Sequence, residues 1–121
     1  MDIKVIKNDR MYFWTNHSKY KLLQYNLSPS AVKKVLRMPE RTEEGIAPET
    51  TAVMKRKDTK KTKREVWVMF QRKSKTQKVE LKGSEASKIR IISTWIYPGV
   101  SPTGRDIYIP EDAWEEIELQ K

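Results

Sequence analysis

The stretch Glu65-Val66-Trp67-Val68-Met69-Phe70-Gln71-Arg72 decides the architecture. Val66, Val68 and Phe70 alternate with Trp67 and Met69, so both faces of an extended chain are apolar and the strand belongs at the centre of a sheet. The run Lys88 to Tyr97 is a second strong strand. Strict alternation puts Ile89, Ile91, Ser93, Trp95 and Tyr97 on one face, and Ile92, Thr94 and Ile96 on the other. Pro98-Gly99 stops it. Upstream, Thr51 to Arg56 reads as a strand joined to 65–72 by the polar turn Asp58 to Lys63. Val79 and Leu81 suggest a short hairpin within the linker 74–87.

Working outward, residues 1–10 read as an arm in which Ile3, Val5 and Ile6 are candidates for a short edge strand. Met11 to Thr15 is extended. Thr15 or Asn16 can cap a helix running to about Tyr25, because either side chain can accept from the free amides of the first turn. Tyr20, Leu23 and Leu27 form its apolar face, with Leu22 flanking. Ser28-Pro29 is a cap followed by proline at the first helical position, where a missing amide costs nothing. A second helix then runs to about Arg37, burying Val32, Val35 and Leu36, and Pro39 ends it. After extended Ile107-Tyr108-Ile109, Pro110 opens a last helix. Glu111 and Asp112 suit its positive end, and Ala113, Trp114 and Ile117 make an apolar stripe. The order predicts an α+β fold: two short N-terminal helices packed on an antiparallel sheet of about four strands, with a C-terminal helix. The expected organisation is an arm or edge strand (1–14), an α+β core (15–97) and a C-terminal extension with an acidic helix (98–121).

At 121 residues the chain suits one domain. Four Trp, five Tyr and two Phe supply large side chains to its core. Without cysteine there is no disulfide scaffold, thiol catalysis or thiolate zinc site, and His17 alone cannot make a multi-histidine metal site. No long apolar run suggests a membrane span or secretory signal, so the expectation is a soluble cytoplasmic protein with no metal or cofactor.

The net charge of +9 is unevenly spread. Residues 55–78 hold Lys55, Arg56, Lys57, Lys60, Lys61, Lys63, Arg64, Arg72, Lys73, Lys75 and Lys78 against Asp58 and Glu65, which accounts for the whole excess. From Asp106 onward six acids oppose Lys121 alone. Basic clusters attract polyanions by counterion release. The candidate nucleic-acid contacts are Arg56, Lys57, Lys60, Lys61, Lys63, Arg64, Arg72 and Lys73. The alternative is a solvated hairpin whose lysines keep an edge strand from aggregating. For the acidic tail the choice is between folding over the basic hairpin and packing its Trp114–Ile117 stripe on the sheet.

Metal-free attack on RNA needs a base for the 2′-hydroxyl proton, cations for the phosphorus transition state and a proton for the leaving oxygen. His17 and Lys21 lie one turn apart on the first helix and supply those types. A capping or surface role for His17 is the alternative. Thr94 and Ser93 read first as satisfied core hydroxyls, and Trp67 and Trp95 as core. Tyr12 and Trp14, beside Lys7 and Arg10, are candidates for stacking a base. The four glycines are scattered, so there is no phosphate loop.

The segment His17-Ser-Lys-Tyr-Lys21, Leu22-Leu23, Leu27-Ser28, Val32, Val35-Leu36, followed by strands ending in Ile92-Ser-Thr-Trp-Ile-Tyr97, resembles a known opening. It is similar to a small domain family grouped with BrnT and RelE/ParE-type toxins in the barnase–EndoU–colicin–RelE assemblage. Lys21 stands where that pattern has arginine. The resemblance implies helices on a four-stranded antiparallel sheet, and a metal-independent ribonuclease or a relative without activity. It would set His17 and Lys21 on the helix side of a cleft, Thr94 on the sheet side, and bring an antitoxin protein as partner to an RNA-binding domain. Two other readings stand beside it: a non-catalytic nucleic-acid-binding domain, and a structural protein whose basic face meets an acidic partner.

Overall fold

The computed structural model describes residues 6–44, 47, 49–72, 88–104 and 106–119. They form β1 (Tyr12–Trp14), α1 (Asn16–Gln24), α2 (Pro29–Arg37), β2 (Arg41–Glu44), β3 (Thr50–Arg56), β4 (Arg64–Arg72), β5 (Ile89–Pro98) and α3 (Glu111–Leu119). The strands make one sheet in the order β1-β5-β4-β3-β2, which puts the doubly apolar β4 at its centre. The hairpin expected at Val79 and Leu81, and the strand residues Ile3 and Val5, lie outside the described residues.

Among the described residues the sheet is mixed, with five strands. β1 pairs with β5 in parallel, Tyr12 against Ile89 through Trp14 against Ile91, whereas every other pairing is antiparallel. The expected α+β architecture, with two N-terminal helices and about four strands, is met in outline; the differences are a fifth strand and the parallel β1–β5 pairing. The sequence Arg-Thr-Glu-Glu of β2 has no apolar residue to mark it. Such charged composition is typical of a strand at a sheet edge.

A β-bulge corrects the strict alternation of β5. Met69 pairs with Ser93 but Phe70 pairs with Ile91, so Ile92 is the extra residue. Ile89, Ile91, Thr94 and Ile96 therefore share the face of Val66, Val68 and Phe70, while Ile92, Ser93, Trp95 and Tyr97 share that of Trp67 and Met69. On the first face Leu22, Val32 and Val35 from the two N-terminal helices, with Leu27 from the turn between them, pack over Val53, Val66, Val68, Phe70, Ile89 and Ile91. On the second, Ile109, Ala113 and Ile117 cover Ala52, Met54, Met69, Ile92 and the stacked Trp67–Trp95 pair, whose ring centres are 6.3 Å apart.

The caps form as their sequences dictate. Thr15 Oγ1 accepts from the Ser18 amide and donates to the Ile92 carbonyl, so one hydroxyl both starts α1 and ties it to the bulge. Because β1 ends at Trp14, α1 runs on alongside β5. Its buried face is Leu22 rather than Tyr20, which is 63% exposed. Ser28 caps α2, with Pro29 in its first turn. Between the two helices Asn26 takes φ of 53°, a left-handed conformation that asparagine tolerates. In α3, Ala113 and Ile117 are buried while Trp114 is 41% exposed, so the stripe is narrower than expected.

The segment after β5 is tied to the sheet by a buried carboxylate. Glu65 accepts from Trp67 Nε1 (3.0 Å), from the Ser101 amide (3.0 Å) and hydroxyl (2.6 Å), and from Arg56 (3.0 Å). Burial opposes the charged form, but the hydrogen bonds from Ser101 and Trp67 and the Arg56 charge outweigh it, holding the carboxyl below its ordinary value of 4.5. A lowered pKa stabilises the fold above the unfolded value, and that stability is lost as pH falls through the folded one. Glu65→Gln should cost about 1–3 kcal/mol at neutral pH. It should also flatten the fall in stability on acidification below the ordinary glutamate value, as read by urea denaturation across a pH series.

Candidate nucleic-acid interface

The turn between β3 and β4 is a built structure. Asp58 Oδ1 accepts from the Arg64 amide (2.9 Å), and both Asp58 oxygens take the Arg56 guanidinium (2.6 and 3.3 Å). The Thr59 amide donates to Thr62 O, and the Thr62 amide returns to Thr59 Oγ1 (3.0 Å). The guanidinium of Arg56 and the Arg64 amide hold the Asp58 carboxyl below its usual range. Every residue from Lys57 to Lys63 is exposed. Among the described residues, no ion pair or hydrogen bond engages the ammonium groups of Lys57, Lys60 and Lys61. Lys63 lies near enough to Asp58 to stabilise its charge. Four lysines are thus presented on a turn whose backbone is internally bonded.

The other basic candidates separate from this group. Arg56 is spent on Asp58, Glu65 and the Gly99 carbonyl (3.1 Å), so it braces the turn from beneath. Arg64 is half-buried at the base of the turn. Arg72 lies at the far end of the nine-residue β4, about 27 Å away at strand spacing, with its guanidinium 5.3 Å from the Phe70 ring centre. Lys73 lies outside the described residues. The contribution of Asp58 was missed in the sequence, where it counted only as one negative charge in a basic run.

His17, Lys21 and Thr94 do not form one constellation. His17 Nε2 lies 3.0 Å from Ser93 Oγ, on the α3 side of the sheet. Lys21 is ion-paired with Asp112 of α3, and also donates to Gln24 (2.8 Å). Thr94, fully buried, donates to the Trp67 carbonyl at 2.6 Å on the opposite face from Ser93. Ser93 is also five residues from Pro98, which pairs with Arg64 at the base of the lysine turn. At strand spacing that is about 16 Å, so one phosphate cannot reach the imidazole and the lysines together. Trp14 is buried and offers no face for a base, while Tyr12 is half-buried beneath the Lys33 ammonium.

Among the described residues, no group of three or more His, Asp or Glu side chains could hold a metal ion, and no helix is long and apolar enough to cross a membrane. No family model matches the chain, and neither a curated protein nor a solved structure does.

Thr94→Val tests the structural role of that hydroxyl. It keeps the shape and removes one buried hydrogen bond, so it should lower stability by about 1 kcal/mol in chemical denaturation.

Proposed function

We propose that this protein is a nucleic-acid-binding domain whose contact surface is the β3–β4 turn, and that it acts without cleaving the strand. The observation that carries this reading is a division of labour among the cations. Lys57, Lys60 and Lys61 stand exposed on a braced turn without an internal partner among the described residues, whereas Lys21 and Arg56 are consumed by Asp112, Asp58 and Glu65. Ammonium groups displayed in this way neutralise phosphates as point charges and release counterions, an interaction that reads the backbone of RNA or DNA rather than base sequence.

The separation of His17 from both Thr94 and the lysine turn supports binding over catalysis. A general base must sit within hydrogen-bond reach of the proton it takes, close to the cations that hold the phosphate.

Reversing charge at the turn (Lys57→Glu, Lys60→Glu, Lys61→Glu and Lys63→Glu together) should abolish RNA binding in a low-salt fluorescence-anisotropy titration. Single Lys→Ala changes should each reduce the salt slope by about 1. His17→Ala should leave affinity unchanged, and RNA held with the wild type in a chelator should stay intact. Undiminished binding by the folded charge-reversed protein would overturn the assignment.

A further inference from the structure

A cleft of about 500 Å³ opens at the other end of β5 from the lysine turn. That volume lies in the range of small-molecule sites. It is bounded by β1, the first turn of α1, the start of β5 and the outer part of α3. Phe13 and Arg90 are register partners in the parallel β1–β5 pair, and the guanidinium lies 5.6 Å from the ring centre. Both neighbour residues of the first core (Trp14, and Ile89 with Ile91), so they face the α3 side. Lys19 and Asn16 line the cleft from α1, Asn8 from the segment before β1, and Glu116 from α3. Asn8 Oδ1 accepts from the Trp14 amide at 2.7 Å, which fixes that side chain. Arg90 and Glu116 are each engaged within the protein as well, so these walls are held in place.

The chemistry of this lining narrows the ligand. An inorganic anion would use Lys19 and Arg90 but would meet the Glu116 carboxylate and leave the ring idle. An apolar ligand would strip water from three charged groups without replacing it. A ribonucleotide answers every part. Its base has a π-face for the Phe13–Arg90 edge, its phosphate suits an ammonium or guanidinium, and its ribose hydroxyls can donate to a carboxylate.

We propose that the cleft binds a ribonucleotide, with the base against Phe13 and Arg90, the phosphate at Lys19 and the ribose hydroxyls at Glu116. The ligand is either a free nucleotide or the unpaired end of an RNA chain. This site is separate from the lysine turn: Arg90 and Pro98 are eight residues apart on one strand, about 26 Å at strand spacing.

The test is an amide chemical-shift titration of the full chain with adenosine 5′-monophosphate, its 2′-deoxy form and inorganic phosphate. The ribonucleotide should shift the Thr15, Asn16, Lys19 and Arg90 amides saturably. Inorganic phosphate and the deoxy form should bind at least about fivefold more weakly. Phe13→Leu and Arg90→Gln, checked for a native spectrum, should each weaken binding at least about fivefold. Lys60→Glu with Lys61→Glu should leave these shifts intact while lowering RNA affinity, so the two surfaces succeed or fail separately. A short 5′-phosphorylated oligoadenylate distinguishes the sources: tighter binding than the mononucleotide, sensitive to Phe13→Leu, marks a chain end, and weaker binding marks the free nucleotide. No saturable shifts at millimolar ribonucleotide, or phosphate binding as tightly as the ribonucleotide, overturns the proposal.

Discussion

Between Val66 and Phe70 the central strand carries apolar side chains on both sides, and burying both requires material above and below the sheet. In a chain this short that material is scarce. The two N-terminal helices and the turn between them cover one face with Leu22, Leu27, Val32 and Val35, and the segment after β5 supplies Ile109, Ala113 and Ile117 to the other. The C-terminal region is therefore part of the core, and the Glu65–Ser101 hydrogen bonds fix where it turns back across the sheet. The acidic residues of α3 follow from this arrangement. Their helix is held by its apolar side and by the Asp112–Lys21 pair, leaving Glu111, Glu115 and Glu118 facing solvent.

Local signals were legible wherever the physics was local. The hydroxyls of Thr15 and Ser28 accept from amides of the turn that follows, and the rings of Pro29 and Pro110 fix the backbone at a helix start, so the three starts could be read from a few residues. The alternation of β4 survives because none of its residues is bulged. Ile92 defeated the same reasoning, since a bulge is decided by which residues pair across strands. β2 was invisible for a related reason: its stability comes from hydrogen bonds to β3 and from Arg41, which reaches Ser101 and lies over the Trp67 ring.

The basic cluster was legible as composition, but the roles of its members were not. Arg56 and Lys57 are neighbours in sequence, yet one is bonded within the fold and the other stands exposed. The partners that claim Arg56 include Glu65 and Gly99, which approach only when β4 and the end of β5 are in place. Its planar, forked guanidinium can serve two carboxylates and a carbonyl at once, whereas a lysine holds its charge at the tip of a flexible stem. The same holds for His17 and Lys21. Their helical spacing suggested a pair acting together, but each is oriented by a residue far along the chain, Ser93 for one and Asp112 for the other.

The short length of β1 has a consequence for how the molecule behaves in company. Unpaired peptide groups along a sheet margin are a template on which further chains can polymerise. Along β5 the template is interrupted at Ile91, where α1 takes the place a longer strand would have held, and Thr15 occupies the next carbonyl. At the opposite margin, β2 exposes Thr42 and Glu44 and spans four residues. Among the described residues neither border offers a long, flat ribbon of free backbone, which discourages strand-by-strand growth into fibres although both sheet faces are strongly apolar.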